Sequence, residues 1–266
     1  MDNQCREIFT RNIGLFTESE QETIRKSNVA IAGIGGIGGL AAERLIRLGV
    51  GKLKITDPGN MEASNLNRQF GSSQMNLGEN KAKVAYEQIK NINPEASISY
   101  TTTGINNEED ANLFTEDCDF LIDVMDFGLF RQSILLQRAA RRRGIHYLFS
   151  TAIGFGAIAV TFDPQGITLE EYNGLPVDVD VNDATKLKVP IEKIVPVIPS
   201  YAPSVGFVQE IIDGKRYVPT SSIGAGLAAI LSASEAINVI LGKEIPKAPK
   251  YTFFDLVDRQ MVVAHI

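Results

Sequence analysis

Four glycines and one aspartate are spaced so that together they could hold a nucleotide. Gly33, Gly35 and Gly38 form a G-x-G-x-x-G pattern after an apolar run, with Gly36 inside it, and Asp57 follows 19 residues after Gly38. Glycines let the backbone approach phosphates, and the N-terminus of a following helix favours an anion. A carboxylate at the end of the next strand accepts hydrogen bonds from ribose hydroxyls. The pattern therefore predicts a nucleotide site, as in many dinucleotide-binding proteins.

A second set of polar residues predicts contacts with phosphate groups. Arg68 lies in the stretch 64–70, SNLNRQF, and its guanidinium can bind two phosphate oxygens at once. Asn65 and Gln69, in the same stretch, can orient those oxygens. Lys81 opens a predicted helix, from which its amino group can reach a triphosphate.

Two aspartates follow one another at the end of a further predicted strand. Asp123 and Asp126 lie in the stretch 121–127, LIDVMDF. Ligands of an open α/β sheet bind at the carboxyl ends of its strands, and a carboxylate there can hold a magnesium ion that bridges phosphates. We expect Asp126 to be this magnesium ligand and Asp123, nearer the strand body, to be structural.

The elements that must position these residues alternate between strand and helix. Apolar or alternating runs predict strands, and segments with helical spacing predict the helices between them. The predicted strands are 28–34, 52–56, 98–102, 120–124, 146–151 and 157–162, and the predicted helices are 38–48, 80–91, 108–114 and 129–143. This alternation predicts an α/β fold with a doubly wound, mostly parallel, Rossmann-like sheet.

The second half of the chain does not continue the alternation. Residues 163–219 have no clean period and contain seven of the eleven prolines, and a loop of this length is usually functional or mobile. We expect this crossover segment to select the substrate and its acidic stretch 175–183 to be a solvated loop. Residues 222–241 predict a buried packing helix, since polar residues interrupt its apolar character. Two runs, 251–256 and 261–265, predict an antiparallel hairpin that extends the sheet.

Composition narrows the class of protein. The 266 residues carry a net charge of −6, so we expect no nucleic-acid partner. Cys5 and Cys118 are too few for a disulfide framework or a four-cysteine zinc site. The polar N-terminus and the lack of a long apolar run predict a cytoplasmic protein with no membrane contact. We interpret 1–266 as a single domain with three parts: a nucleotide-binding core (28–162), a crossover with substrate loops (163–219), and a C-terminal helix and hairpin (220–266).

The sequence resembles the ThiF/MoeB/HesA family, the ubiquitin-activating-enzyme-like adenylating enzymes. The resemblance covers residues 8–162 well and rests on the order of Arg11, the glycine loop, Asp57, the SNLNRQF stretch, Lys81, Asp123 and Asp126. It implies an enzyme that binds ATP and Mg2+, transfers AMP to a substrate carboxylate and releases pyrophosphate. The family's substrate is typically the C-terminus of a small ubiquitin-like or sulfur-carrier protein, and some members act on peptides.

The resemblance also implies a role for each motif residue. The tasks are holding the nucleotide (Gly33, Gly35, Gly36, Gly38 and Asp57), acting on the phosphates (Arg68 and Lys81, supported by Asn65 and Gln69) and binding magnesium (Asp126). Family members form homodimers or pseudodimers, and Arg11 falls where the family has an arginine that enters the partner subunit's site. We therefore expect a homodimer in which Arg11 acts in trans.

Three departures from the family pattern limit what the resemblance implies. Gly59 stands where many members carry a second acid, two residues after Asp57. No cysteine follows Cys118, so the paired-cysteine zinc site and the thioester-forming cysteine of the crossover are both missing. The fate of the acyl-adenylate stays open between transfer to a thiol or sulfur, amide formation in a peptide, and activation of a tRNA-linked carboxylate. A basic cluster at 138–143 ends a predicted helix, whose dipole favours cations there without any tRNA.

Two other functions compete with adenylation. A nicotinamide-dependent oxidoreductase would account only for the glycine loop and Asp57. An inactive scaffold subunit of an activating heterodimer would be expected to have lost Arg68, Lys81 and Asp126, all of which are present. We therefore favour an active adenylating enzyme.

Overall fold

The computed structural model of the protein describes residues 7–183, 187, 196–201, 204, 210, 215–216 and 219–266. Its strands are β1 (Asn28–Ala32), β2 (Lys52–Thr56), β3 (Ser97–Thr101), β4 (Phe120–Asp123), β5 (His146–Ile153), β6 (Gly156–Phe162), β7 (Lys250–Asp255) and β8 (Gln260–His265). They form one sheet in the order β3-β2-β1-β4-β5-β6-β7-β8. Neighbours from β3 through β5 pair in parallel, and those from β5 to β8 pair antiparallel. This confirms the predicted fold class.

Helices cover both faces of the sheet. They are α1 (Glu18–Lys26), α2 (Gly38–Leu48), α3 (Lys81–Ile92), α4 (Glu108–Phe114), α5 (Phe130–Arg143), α6 (Leu169–Tyr172) and α7 (Ser222–Ile240). Apolar residues of α1, α2, α3 and α7 pack on one face, and those of α4, α5 and α6 pack on the other. Because β1 and β4 are buried from both sides, they consist largely of apolar residues, as expected for central parallel strands.

The predicted elements and the observed ones agree within two residues at each end. Two helices, α1 and α6, are missing from the prediction. Each begins with a capping box in which a threonine and a glutamate three residues later bond to each other's backbone: Thr17 with Glu20 and Thr168 with Glu171. The T-x-x-E spacing was available in the sequence and is a known sign of a helix N-terminus.

The expectation of a solvated loop at 175–183 is correct for only part of the stretch. Asp178 and Asp180 are exposed, whereas Val179 and Val181 are buried in the core beside α5. The Arg138 side chain also donates a hydrogen bond to the carbonyl of Val179 at 2.9 Å. Apolar burial and this bond dock the stretch on the body of the protein. Most of 184–218 lies outside the described residues, so the lack of regular structure predicted there is not tested.

Helix α7 has the packing role that its polar residues predict. Among the described residues it is the one helix long and apolar enough to cross a membrane, and half of its apolar window is buried inside the protein. Its small residues lie against β5, β6 and α2. Gly224 is one of them. A β-carbon there would lie 2.3 Å from the Gly154 carbonyl oxygen, so a side chain would not fit at this position. The burial of one side favours a packing helix.

Candidate nucleotide-binding site

The glycine loop turns sharply between β1 and α2, against the carboxyl end of β4. Gly33 has φ of +92°, and a β-carbon there would lie 2.8 Å from the carbonyl oxygen of Val124. A β-carbon at Gly38 would lie 1.8 Å from the carbonyl oxygen of Gly33. Both positions therefore exclude any side chain. The tight turn leaves backbone N–H groups and the N-terminus of α2 at the sheet edge, where an anion is favoured.

Asp57 ties the glycine loop to the turn that follows β2. Its buried carboxylate accepts hydrogen bonds from the backbone N–H of Ile34 and of Gly59, both at 2.7 Å. The sequence predicted that this carboxylate binds a ribose. The structure adds a second task, since the same group fixes the position of the loop backbone.

Lys81 lies directly beside this turn. A β-carbon at Gly59 would come within 3.4 Å of the Lys81 amino nitrogen and 3.0 Å of Asp57 Oδ1. The backbone N–H of Lys81 also donates to the Gly59 carbonyl at 2.9 Å. Gly59, the departure from the family pattern, thus leaves room for the lysine, whereas an acid at that position would crowd it. No hydrogen bond or ion pair occupies the Lys81 amino group within the described part of the chain.

Arg68 crosses over the glycine loop. Its Cγ and Nε lie 3.2 and 3.3 Å from the position that a β-carbon at Gly36 would take. The guanidinium Nη1 donates to the Ser64 carbonyl at 3.1 Å and to the Asn67 side-chain oxygen at 2.8 Å. The other guanidinium nitrogens leave donors for a ligand. Arg68, Lys81 and the glycine loop are therefore brought together, as the motif order predicts.

Asn65 and Gln69, the two amides of the SNLNRQF stretch that were predicted to orient phosphates, form different hydrogen bonds. Asn65 Oδ1 accepts from the Glu62 backbone N–H at 3.0 Å, so Asn65 shapes the turn that carries Arg68. Gln69 is buried and its Oε1 has no hydrogen-bond partner within the described chain, while its Nε2 lies 3.9 Å from the β-carbon position of Gly35. A buried amide oxygen without a partner costs about 1–3 kcal/mol. Only a ligand group that donates a hydrogen bond, such as a ribose hydroxyl or the adenine amino group, would satisfy the Gln69 oxygen, because phosphate oxygens only accept.

The two acids after β4 separate into an exposed one and a buried one. Asp126 is exposed at the carboxyl edge, two residues beyond the Val124 carbonyl that contacts Gly33. Asp123 is fully buried, accepts from the Tyr147 hydroxyl at 2.5 Å and from the Met125 N–H at 3.1 Å, and burial raises its pKa. This agrees with the structural role predicted for Asp123.

The donor set at Asp126 fits a magnesium ion that also binds phosphate. The described residues contain no group of three or more His, Cys, Asp or Glu side chains that could hold a metal by themselves. Magnesium usually takes one or two carboxylates and completes its octahedron with water and substrate phosphates. Asp126, an exposed carboxylate at the same sheet edge as the glycine loop, would meet that requirement.

Arg11 lies far from these residues within its own subunit. It is exposed on a single helical turn, Thr10–Asn12. Asn12 donates to the carbonyl of Leu48, the last residue of α2, at 3.3 Å. Because α2 has 11 residues and rises 1.5 Å for each, Arg11 and the glycine loop are separated by about 16 Å of helix. The neighbouring Phe9 is buried, so this segment is docked on the body and is less detached than its polar sequence implies.

The remaining candidates lie away from the site. Burial raises the pKa of the Cys118 thiol to about 11, which makes it a poor nucleophile, and Cys5 lies outside the described residues. His146 is at the opposite sheet edge, and burial lowers its pKa. Each arginine of the basic cluster has partners in the protein: Arg138 bonds Glu170, Arg141 the Gly166 carbonyl, Arg142 Glu108 and Asn112, and Arg143 the Asn112 carbonyl. The prediction of no nucleic-acid partner stays untested.

Asn67 is a site residue that sequence reasoning did not assign. Its side-chain oxygen accepts from Arg68, and its side-chain nitrogen donates to the Thr220 carbonyl at 3.3 Å. The residue stood in the quoted SNLNRQF stretch, directly before the arginine. Its contact with Thr220 joins positions 153 residues apart. Local sequence spacing therefore could not predict this contact.

Comparisons with known proteins give the sequence family and the fold. A sequence model described as the ThiF family matches residues 9–266. The chain is 32% identical over 142 residues to the tRNA threonylcarbamoyladenosine dehydratase of Bacillus subtilis, covering 53% of this chain and 55% of that protein. It is 28% identical over 148 residues to the sulfur carrier protein ThiS adenylyltransferase of the same organism, covering 55% and 43%.

A solved structure shares the whole fold. The crystal structure of Escherichia coli MccB with ATP superposes with a TM-score of 0.73 at 19% sequence identity, covering 100% of this chain and 72% of that one. At this identity the match shows the fold alone. The chain spans about half the length of the curated relatives it matches.

Proposed function

Because the chain belongs to the ThiF family, we propose that it is an ATP-dependent adenylyltransferase that joins AMP to a substrate carboxylate and releases pyrophosphate. The observation that carries the proposal is the placement of three side chains at one edge of the sheet: Arg68 lies over the glycine loop, Lys81 lies beside the turn that Asp57 ties to that loop, and Asp126 is exposed at the carboxyl end of β4. Two cations and a magnesium-type acid at a phosphate-binding turn suit ATP better than a dinucleotide. A hydride transfer has no use for this arginine and lysine.

The chemistry follows from the charges at the site. A carboxylate oxygen attacks the α-phosphorus of ATP, and the bond between that phosphorus and the bridging oxygen of the β-phosphate breaks. The attacking group is already ionised, so the step needs no side-chain base. It needs positive charge, since two anions must meet and pyrophosphate must leave. Arg68 and Lys81 supply it, and Asp126 would hold the magnesium ion, which adds charge between the phosphates when bound.

Two classes of acyl substrate are consistent with the relatives. ThiS adenylyltransferase is named for a sulfur-carrier protein, and MccB is named as a biosynthetic enzyme in a complex with N-formylated MccA. We propose a small ubiquitin-like or sulfur-carrier protein, or a peptide, as the carboxylate donor. In this scheme 28–162 binds the nucleotide, 163–219 meets the acyl substrate and 220–266 braces the crossover. The tRNA-modifying relative keeps a tRNA-linked carboxylate as an outcome of the test.

We further propose a cytoplasmic homodimer in which Arg11 completes the partner's site. The distance of Arg11 from its own glycine loop supports action in trans. Large apolar side chains near Arg11 and on the outer side of α7 are exposed, including Leu15 at 82% and Ile13, Ile223 and Ile230 at 42–51%. In the proposed dimer these side chains would be buried against the partner subunit. A guanidinium from the partner would neutralise the leaving pyrophosphate.

The test is exchange of labelled pyrophosphate into ATP. The panel contains a sulfur-carrier protein with a free C-terminus, candidate peptides including any encoded beside this gene, and tRNA bearing a carboxylate. We expect label in ATP with one class, and none when the same substrate carries an amidated C-terminus. Failure of the whole panel to support exchange contradicts the proposal.

Nucleotide-dependent melting discriminates the oxidoreductase alternative. ATP with Mg2+ should raise the melting temperature of the purified protein and NAD should leave it unchanged, because only a ligand of the folded state stabilises it. Stabilisation by NAD but not by ATP would favour the oxidoreductase.

A further inference from the structure

A cavity opens beside Asp126, on the face of the sheet that α5 and α6 cover. Its lining comes from the end of β4, the first turn of α5, strands β5 and β6, and α6. Among the lining residues, Asp126 is exposed, Met125 and Phe130 are partly buried, and Tyr172 of α6 is buried. The cavity therefore opens at the nucleotide edge and ends at α6, a described part of the crossover.

Packed aromatic rings limit the size of this cavity. The ring of Phe162 meets those of Tyr147 and Tyr172 edge to face, with centroids 5.7 and 5.3 Å apart. The cavity has a volume of about 30 Å³. One water-sized group needs about 10–15 Å³ on the same scale, so the space holds roughly two or three non-hydrogen atoms. A short side chain fits there, whereas an aromatic side chain would force the packed rings apart.

The polar groups of the cavity lining have partners, with one exception. Tyr147 Oη donates to Asp123 at 2.5 Å, and the Ser133 hydroxyl bonds the same carboxyl group. The Asn173 amide nitrogen donates to a carbonyl of α6 at 2.7 Å. Among the buried side-chain atoms of the lining, only the Tyr172 hydroxyl has no hydrogen-bond partner in the described chain.

The Tyr172 hydroxyl is suited to bind a polar group of a ligand. Tyr172 is only 5% exposed, and burial raises its pKa. The hydroxyl therefore keeps its proton and can both donate and accept a hydrogen bond. Gln137 and Glu170 also have buried side-chain atoms without a partner among the described residues, but neither residue lines the cavity. Tyr172 is thus the unpartnered group that faces a ligand entering past Asp126.

The residue that carries the reacting carboxylate is the part of the substrate closest to this cavity. In the proposed reaction the carboxylate meets the α-phosphate beside the magnesium ion that Asp126 would hold. The side chain of the same residue branches from the carbon next to the carboxyl group, so it lies at the cavity mouth. Asp126 also restricts its charge: an acidic side chain would be repelled there, and a basic one would compete with magnesium for the carboxylate.

We propose that this cavity binds the side chain of the carboxyl-terminal residue of the acyl substrate, and that it selects a short neutral side chain whose hydrogen-bonding tip is recognised by Tyr172. The proposal rests on the adenylation function proposed above and narrows its substrate class. A peptide that ends in such a residue fills the cavity, whereas a chain that ends in glycine leaves it unfilled. Tyr172 determines specificity and takes no part in bond making or breaking.

The first test measures the affinity of the wild-type protein for four stable mimics of the acyl-adenylate by calorimetry. The mimics are N-acetylated glycine, serine, α-aminobutyrate and phenylalanine, each joined to adenosine through a sulfamate. Serine and α-aminobutyrate have the same shape and differ in one hydroxyl, so serine should bind roughly three- to tenfold more tightly. α-Aminobutyrate should bind about tenfold more tightly than glycine and also more tightly than phenylalanine. Equal affinities for glycine and serine, or tightest binding of phenylalanine, would overturn the proposal.

The second test removes the hydroxyl from the protein side. In Tyr172→Phe, the preference for serine over α-aminobutyrate should fall from roughly three- to tenfold to about one or less. Tyr100→Phe is the matched control, because it removes an exposed hydroxyl on the edge strand β3, and it should keep the preference. An unchanged preference in Tyr172→Phe would overturn the role of Tyr172.

The melting temperature of unliganded Tyr172→Phe should equal or exceed that of wild type. The change removes a buried hydroxyl that has no partner in the described chain, so no hydrogen bond within the protein is lost. A clear drop in melting temperature would show that the hydroxyl already bonds within the protein and would also overturn its role in recognition.

Binding of the mimics requires no turnover, so this proposal and the adenylation function fail separately. A wild-type protein that supports no pyrophosphate exchange with any substrate contradicts adenylation. Equal binding of all four mimics, or binding of none of them, contradicts the side-chain cavity even where exchange is observed.

Discussion

The nucleotide edge and the crossover are held in place by different kinds of contact. At the nucleotide edge, backbone geometry dominates: Gly33 and Gly38 exclude side chains, and Asp57 bonds backbone N–H groups in two neighbouring turns. The described crossover is held by side chains that reach across the chain, as Tyr201 reaches Asp255 and Arg138 reaches Glu170. We infer that the nucleotide edge determines the reaction with ATP, whereas the side chains of the crossover can differ between proteins that use different acyl substrates.

Loss of Asp126 should have the largest effect of any change at the nucleotide edge. Asp126→Ala removes the exposed carboxylate that would hold magnesium beside the phosphates, so pyrophosphate exchange should fall by about 100-fold or more. Glu116→Ala, an exposed carboxylate before β4 at the opposite edge, is the matched control and should keep full exchange. Near wild-type exchange by a folded Asp126→Ala protein would remove Asp126 from the site.

Mixing two inactive variants tests whether the nucleotide edge is complete in one subunit. Arg11→Ala and Asp126→Ala should each be inactive alone. If Arg11 acts in trans, a mixed dimer has one site with both defects and one with neither, and activity should recover to at most about half. Subunit exchange must be confirmed by mass. No recovery after confirmed exchange would place Arg11 in its own subunit's site.

A smaller effect should come from a carboxyl group on α7, the helix that leaves the crossover. Burial raises the pKa of Glu235 from its ordinary 4.5 to about 6. The folded state thus favours the protonated form, and its contribution to stability is lost as pH rises from 4.5 through 6. Glu235→Gln should therefore raise the melting temperature at pH 7.5 by about 2–4 °C, which corresponds to about 1 kcal/mol. It should have no such effect at pH 4.

The control for this stability change is Glu116→Gln, which alters an exposed carboxylate. It should leave the melting temperature unchanged at both pH values. An equal gain for Glu235→Gln at pH 4 and pH 7.5 would show that protonation of Glu235 is not its cause.

The smallest effect should come from removing both thiols. A crossover that selects the substrate without reacting with it needs no cysteine, and burial keeps Cys118 protonated, with a pKa of about 11. The double variant Cys5→Ser, Cys118→Ser should keep its pyrophosphate exchange and overall turnover. If a folded variant loses turnover, or if the wild type forms a thiol-sensitive adduct with the acyl substrate, a thiol of this chain takes part in the reaction.

The nucleotide edge can be predicted from the sequence more completely than the crossover can. Its contacts join residues that are close together in the chain, whereas those of the crossover join distant residues. The glycine loop, Asp57 and the strand-helix alternation follow from neighbours within one βαβ unit, and spacing alone brings them to one edge. In the crossover, the Tyr201 hydroxyl bonds residues 46 and 54 positions away, Phe155 and Asp255. Such side-chain pairs leave no periodic signal, so the sequence did not predict the contacts of Tyr201.

Local signals were also overlooked where they existed. The capping boxes of α1 and α6 are visible as T-x-x-E at Thr17 and Thr168. The alternation of Val179 and Val181 with exposed acids shows that the stretch 175–183 has one buried side. The side-chain oxygen of Asn65 accepts from the Glu62 backbone N–H, as amides next to tight turns often do, and its predicted role in orienting phosphates stays a prediction.

The central claim, attack of a carboxylate on the α-phosphorus of ATP, can be read directly from an oxygen label. The acyl substrate that supports exchange is prepared with 18O in its terminal carboxylate, and the acyl-adenylate is trapped with hydroxylamine. Hydroxylamine attacks the carbonyl carbon and expels AMP with the bridging oxygen. We therefore predict AMP that carries one 18O atom, together with the hydroxamate. Unlabelled AMP, or ADP with the label in inorganic phosphate, would contradict adenylation.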